Sequence, residues 1–224
     1  MAVVWASFGP YHYARLRALN EVFDVTAIQL TDREDGRGWG ETGAPIGVRV
    51  RTLLGESVEG RSERGVAGAV WRALDEWRPD AVLVPGYSGL AVLAMAVWAK
   101  WRRVPAVMMN ESTREDRSRS GWKEWAKRQL VKNLFRCAVV GGVRSAEYAV
   151  ALGIPRAHLG YCHNVVDNRH FAEGCERIRE RAARAKLRGK YLLYVGRLSA
   201  EKNLDRLIEA YARFSKAGGN WGLK

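Results

Sequence analysis

The chain has 224 residues, 47% hydrophobic and 27% charged, the balance of a globular protein with enough apolar matter to build a core. Against 24 Asp and Glu stand 37 Lys and Arg, and the formal net charge of +13 favours an anionic partner, whether a phosphorylated small molecule, nucleic acid or an acidic membrane surface. No stretch approaches the roughly 18 consecutive apolar residues of a membrane-spanning helix, and Cys137, Cys162 and Cys175 have neither metal-ligand spacing nor the pattern of a disulfide framework.

The first residues read as a strand entering a turn rather than as a secretion signal, so the chain is expected in the cytoplasm with reduced thiols. Apolar strand patterns recur at 2–6, 22–30, 48–53, 81–84, 106–109, 138–141, 159–162 and 192–195. Helical patterns fall at 11–19, 64–77, 90–101, 122–135, 145–152 and 204–214. Strands alternating with helices of this length predict βαβ crossovers, hence an α/β, Rossmann-like, doubly wound parallel sheet. The segment 31–47, rich in Gly, Asp, Arg and Glu, is expected to be a loop, and 171–189, dense in Arg, Glu and Ala, a polar linker helix or hinge between two units. The expected division is a first domain over 1–170, a linker over 171–189, and one βα unit over 190–224 that is too short to bury a core of its own.

In a parallel sheet ligands gather at the carboxyl ends of strands, which singles out the residues that follow each one. After the first strand, Gly9 permits a turn, Pro10 suits the first helical position, and His12 and Arg15 lie on the opening turns of the next helix. This first-strand turn is not the GxGxxG dinucleotide fingerprint, and no GxxxxGK[ST] phosphate loop occurs in the chain, which argues against a classical nucleotide triphosphatase. Pro85-Gly-Tyr-Ser88 follows the fourth strand, with Ser88 expected as a helix N-cap. Asn110-Glu-Ser-Thr-Arg-Glu-Asp116 follows the fifth, where Glu111 can serve as general base or hydrogen-bond a sugar hydroxyl.

The helix over 122–135 places Trp122, Trp125, Ala126, Leu130, Leu134 and Phe135 near one face, with Lys123, Lys127, Arg128 and Lys132 around the other. Its apolar face is expected to pack on the sheet, the alternative being that it lies on an anionic membrane. In Tyr161-Cys-His-Asn-Val-Val-Asp-Asn-Arg-His-Phe171, Asn164 and Asp167 are turn formers. Finally, the expected buried strand Tyr191-Leu-Leu-Tyr-Val195 runs into Gly196-Arg-Leu-Ser-Ala-Glu-Lys-Asn203 and a helix. There the N–H groups of the helix start, with Arg197 and Lys202, can converge on one anion; an ordinary βα turn with two solvated cations fits the same spacing.

Together, the 161–171 segment followed by the 194–210 segment resembles the interdomain turn and second-domain opening of family 4 glycosyltransferases of the GT-B fold, and the preceding 140–155 segment and Asn110-Glu-Ser112 resemble a bacterial subgroup of that family. The resemblance implies an acceptor-side Rossmann-like domain followed by the start of a second such domain that binds a nucleotide-diphosphate sugar. It implies metal-independent transfer with retention, no cofactor, and a glycan or lipid-linked acceptor, with the protein cytoplasmic or peripheral on the inner membrane face. Gly196, Arg197 and Lys202 match the donor-diphosphate motif, and Asn164 and Asp167 the interdomain turn. Glu111 is the catalytic candidate, and Gly9, His12, Arg15, Tyr87 and Ser112 the substrate-binding candidates. Glu111 stands where relatives often carry a histidine, and Val165 where a turn glycine is usual. The family's paired-glutamate motif does not occur before Lys224, so this stretch alone is expected to have little transferase activity. The alternative is a non-catalytic basic module that binds nucleic acid or an anionic membrane, although no recognised nucleic-acid motif occurs.

Overall fold

The computed structural model describes residues 1–31, 47–55, 60–116, 120–161, 165–185 and 190–224. The expected loop over 31–47 lies almost wholly outside the described residues, as does Asn164. The chain divides into two units, Met1–Asp167 and Asn168–Lys224.

In the first unit, seven strands form one sheet: β1 (Ala2–Trp5), β2 (Thr26–Gln29), β3 (Arg49–Thr52), β4 (Val82–Pro85), β5 (Ala106–Asn110), β6 (Cys137–Val140) and β7 (Leu159–Tyr161). Their spatial order is β3-β2-β1-β4-β5-β6-β7, and every pair is parallel. Between them lie α1 (Pro10–Asn20), α2 (Glu63–Trp77), α3 (Leu90–Arg102), α4 (Gly121–Leu134) and α5 (Val143–Ala151). From β1 the chain steps one way through α1 to β2, and from β3 it crosses back through α2 to β4, then continues through α3, α4 and α5. Right-handed crossovers in opposite directions put α1 on one face and the other four helices on the opposite face.

The two cores follow this division. Val4, Val84, Met108 and Val140 face Leu74 of α2, Met95 and Trp98 of α3, Val131 of α4 and Ala149 of α5. Their strand neighbours Val3, Leu83 and Met109 point the other way and join Leu16 of α1. Alternation along each strand thus serves two apolar faces, as a sheet covered by helices requires.

Helix α1 ends at Asn20, whose side chain accepts the Val25 N–H at 3.1 Å and donates to the Gly47 carbonyl at 3.1 Å. This turn takes Val22 and Phe23 out of the strand expected over 22–30 and leaves both exposed.

The second unit contains α6 (Asn168–Ala185), β8 (Tyr191–Leu192), α7 (Leu204–Lys216) and β9 (Gly222–Leu223). Strands β8 and β9 pair in parallel across α7, a βαβ unit whose closing strand the sequence reading missed. None of the residues whose burial is described between 168 and 224 is buried. The strand expected over 192–195 is therefore corrected: it holds strand pairing only at Tyr191–Leu192, while Val195 and Leu198 are 83% and 85% exposed. One short βαβ element cannot cover both faces of its own strands.

We expect Leu74→Ala to cost about 2–5 kcal/mol, the range for truncating a fully buried leucine. Leu198→Ala should stay within about 0.5 kcal/mol, as surface changes do. Urea titrations of the two variants measure both.

Candidate functional site

The opposed crossovers place the point where chain direction switches between β1 and β4, and a polar cleft lies at its carboxyl edge. This cleft of about 680 Å³ is lined from β1 by Trp5, from the β4 end by Pro85, Gly86, Tyr87 and Ser88, and from the β5 end by Met109, Asn110, Glu111 and Ser112, with Asp116 and the α4 residue Lys127.

Three local devices shape it. Behind β4 the chain turns through Gly86 (φ 88°) and Gly89 (φ 91°), left-handed conformations that side chains seldom adopt. Gly89 is the N-cap of α3 and has no side-chain cap, so the capping role expected for Ser88 is corrected: Ser88 lines the cleft instead. Behind β5 the buried Asn110 accepts the Ser112 N–H at 3.3 Å and donates to the Ser112 carbonyl at 3.2 Å. That clamp fixes the turn in which Glu111 sits. Asp116 then accepts both the N–H and the hydroxyl of Thr113, each at 2.7 Å, closing the next turn.

A polar chain backs the cleft. The Tyr87 hydroxyl donates to that of Tyr148 at 3.4 Å, Tyr148 donates to Glu124 at 2.9 Å, and Lys127 pairs with the same carboxylate at 2.7 Å. Burial, then the hydrogen bonds with Tyr87 and Glu124, hold the Tyr148 phenol well above its ordinary range.

Beside the cleft, against α1, is an apolar hollow of about 290 Å³ that includes Val3, Leu83, Met109 and Val139 of the sheet and Phe8, His12, Arg15 and Leu16 of the α1 side. Trp5 and Met109 belong to both spaces. The sequence-selected residues of this unit therefore fall into two groups: Tyr87, Glu111 and Ser112 meet in the polar cleft, whereas His12 and Arg15 line the hollow.

Gly9 is the N-cap of α1, and its N–H donates to His12 Nδ1 at 3.0 Å. The histidine thus caps the helix and, in the neutral form, carries its proton on Nε2. The Trp5 ring stands 4.9 Å from it. Arg15 donates through Nε to the Val165 carbonyl at 3.1 Å. Burial lowers its guanidinium pKa, and the charge of Glu111 opposes that shift, so Arg15 links the two spaces electrostatically. Asp167 closes the unit through an ion pair with Arg17 at 2.6 Å.

Sequence reasoning missed Gln29 as a support: its side chain accepts the Phe8 N–H at 3.1 Å and donates to Thr52 at 2.9 Å, holding the turn after β1. A polar residue at the end of an apolar strand was the available signal. It also missed Trp5 and Lys127 as lining residues.

In the second unit, Gly196 to Asn203 joins β8 to α7. A side chain at 196 would meet the Tyr194 ring, whose hydroxyl donates to the Arg197 carbonyl at 2.8 Å. Asn203 occupies the left-handed region (φ 52°) and precedes α7 directly. Arg197 pairs with Glu201 at 3.1 Å, and Lys202 closes the short helix Ala200–Lys202. The Glu201 carboxyl lies below its usual range, through its own backbone N–H first, with Arg197 and Lys202 adding. Arg197, Glu201 and Lys202 thus share one exposed turn.

Residues 11–164, more than half of the chain, match the model of the glycosyl transferase 4-like domain. The chain belongs to that family. Among solved structures it resembles the UDP-GlcNAc 2-epimerase of Methanocaldococcus jannaschii, with TM-score 0.60 and 18% identity over 99% of this chain and 64% of that one. Anabaena Alr3699/HepE, solved with UDP and glucose, gives 0.61 and 14% over 95% and 57%. UDP-N-acetylglucosamine 2-epimerase from Rickettsia bellii gives 0.54 and 16% over 100% and 60%. At these identities the likeness establishes the fold, a GT-B type of Rossmann-like sheet. The chain spans about 60% of the length of the structures it matches. No curated protein sequence matches it.

For this glycosyl transferase 4-like chain, Tyr148→Phe should cost about 1 kcal/mol at neutral pH through loss of the bond to Glu124. The sign at high pH follows from the raised native pKa. Tyr148's contribution is complete below the unfolded value of about 10 and declines above it, as only the unfolded chain can then ionise. The Phe variant should lack that part of the alkaline loss, as measured by denaturant titrations on either side of pH 10.

Proposed function

We propose that this chain forms part of a retaining, metal-independent glycosyltransferase that moves a sugar from a nucleotide-diphosphate sugar to a glycan or lipid-linked acceptor. The observation that carries the reading is the polar cleft at the β1/β4 switch, with Glu111, Ser112 and Tyr87 on its wall, in a chain of the glycosyl transferase 4-like family. The likeness to the Anabaena protein solved with UDP and glucose supports a nucleotide-sugar donor.

In this reading the first unit presents the acceptor. Glu111 accepts a hydrogen bond or proton from the acceptor hydroxyl, and Ser112 and Tyr87 orient it; the Asn110 clamp holds the turn so that this geometry requires little reorganisation. Donor diphosphate binds at the turn of the second unit. Its leaving group is an anion, and the fixed cations Arg197 and Lys202, with the N–H groups opening α7, neutralise that charge as it develops. The Arg197–Glu201 pair is exposed and screened by solvent, so an incoming phosphate readily displaces the carboxylate.

Titration calorimetry with nucleoside diphosphates tests this. Arg197→Ala and Lys202→Ala should each weaken binding about tenfold or more, the loss of one charge-assisted contact, whereas Glu111→Gln should leave diphosphate binding unchanged and EDTA should have no effect. Unaltered affinity in both cation variants would remove the donor site from this turn.

A further inference from the structure

Helix α4 meets the expectation from its apolar pattern only in its second half: Leu130 and Leu134 are half-buried and Phe135, which follows the helix, is buried in the core, whereas Trp122, Trp125 and Ala126 in the first half are exposed. Its inward residues, three or four apart, are Glu124, Lys127, Val131 and Leu134, and of these Val131 is fully buried. Glu124 is held by the Tyr148 hydroxyl at 2.9 Å and by Lys127 at 2.7 Å. The polar anchor in the first half of the helix, with Val131, Leu134 and Phe135 at its end, thus sets the helix rotation, and the tryptophans expected against the sheet face away from it. Trp122 is 70% exposed and Trp125 65%. Around them stand exposed Lys123, Arg128 and Lys132, with the Lys123 ammonium 5.6 Å over the Trp122 ring.

We propose that this outer face of α4 docks the protein on a bilayer that contains anionic lipid. Indole rings are stable at the headgroup level, where the ring body meets acyl carbon and the N–H meets water. Flanking cations answer lipid phosphates. The helix carries four cations (Lys123, Lys127, Arg128, Lys132) against one carboxylate (Glu124) in a chain of net charge +13, so a second copy of the same face would be repelled. A convex helix surface also offers no groove in which nucleic-acid bases could stack in succession. Leu90 and Val143, which open α3 and α5 at the same carboxyl edge of the sheet, are exposed as well and extend the apolar area. No described helix is long and apolar enough to cross a membrane, so the contact is interfacial.

Lys127 belongs both to α4 and to the lining of the polar cleft, so docking through this helix brings the cleft to the lipid surface. That consequence suits a lipid-linked acceptor and rests on the proposed transfer reaction. Docking itself does not, and a chain that binds vesicles without binding nucleoside diphosphates would sink only the transfer reading.

Co-sedimentation of the whole chain with phosphatidylcholine vesicles, with and without phosphatidylglycerol, tests the proposal. Binding should require the anionic lipid and weaken with salt. Replacing Lys123, Arg128 and Lys132 together by Gln should reduce partitioning about a hundredfold, at roughly fivefold per cation. Trp122→Ser with Trp125→Ser should lower it by about tenfold or more, with the circular dichroism of both variants unchanged. In the unaltered protein, brominated lipid should quench part of the tryptophan fluorescence, a readout independent of variant folding. Equal binding to neutral vesicles, absence of quenching, or retained binding in the folded Trp variant would overturn the proposal. So would a self-association or an RNA affinity that depends on the tryptophans in the absence of vesicle binding.

Discussion

Parallel pairing between β1 and β4 is the constraint on which the rest of the first unit depends. Ala2 pairs with Val82 and Val3 with Leu83, joining strands that are far apart in sequence and whose onward crossovers leave in opposite directions. Helix α1 goes to one face and α2 to α5 to the other, so no helix start closes the edge directly above the β1/β4 seam. An opening at that point follows from topology before any side chain is considered. The side chains then make it polar: the turns after β4 and β5 are held by glycines in left-handed conformations and by the Asn110 clamp, and both deliver functional groups into the same space.

The two faces of the sheet are used unequally. On the α2 to α5 face, Trp98, Met95, Leu74 and Val131 complete a continuous core. On the α1 face, Leu16 covers Val3, Leu83 and Met109, and the apolar hollow remains beside it. Its contact with the polar cleft through Trp5 and Met109 gives the chain two adjoining environments of opposite character. Arg15 stands between them, desolvated on one side and facing the Glu111 charge on the other.

Strand and helix order was legible in the sequence because alternation and helical spacing are local signals. Every expected strand from β1 to β7 and every expected helix is present, whereas of the strand expected over 192–195 only Leu192 pairs in a sheet. Limits of elements were less legible where a single side chain decides them: Asn20 ends α1 and shortens β2 through bonds to Val25 and Gly47 that no periodicity announces. In α4 the same local signal misled, since spacing shows which residues share a face and not which face finds a partner. There a Glu124–Tyr148 bond, linking residues 24 apart in sequence, outweighed two tryptophans. Likewise Glu111, Tyr87 and Ser112 were recognisable from their positions after strands, whereas the support from Gln29 depends on contacts with Phe8 and Thr52 across the fold. The motif from Gly196 to Asn203 was legible as a turn with two cations; Glu201, placed between them in the sequence, is part of the same electrostatic unit.

The central claim is that this chain handles a nucleotide-diphosphate sugar through the turn between β8 and α7. Amide chemical-shift mapping during titration with UDP and UDP-sugars examines that turn directly. The account predicts saturable shifts concentrated at Gly196 to Leu204, with the N–H groups that open α7 among the largest. Saturating ligand that leaves those amides unmoved would contradict it.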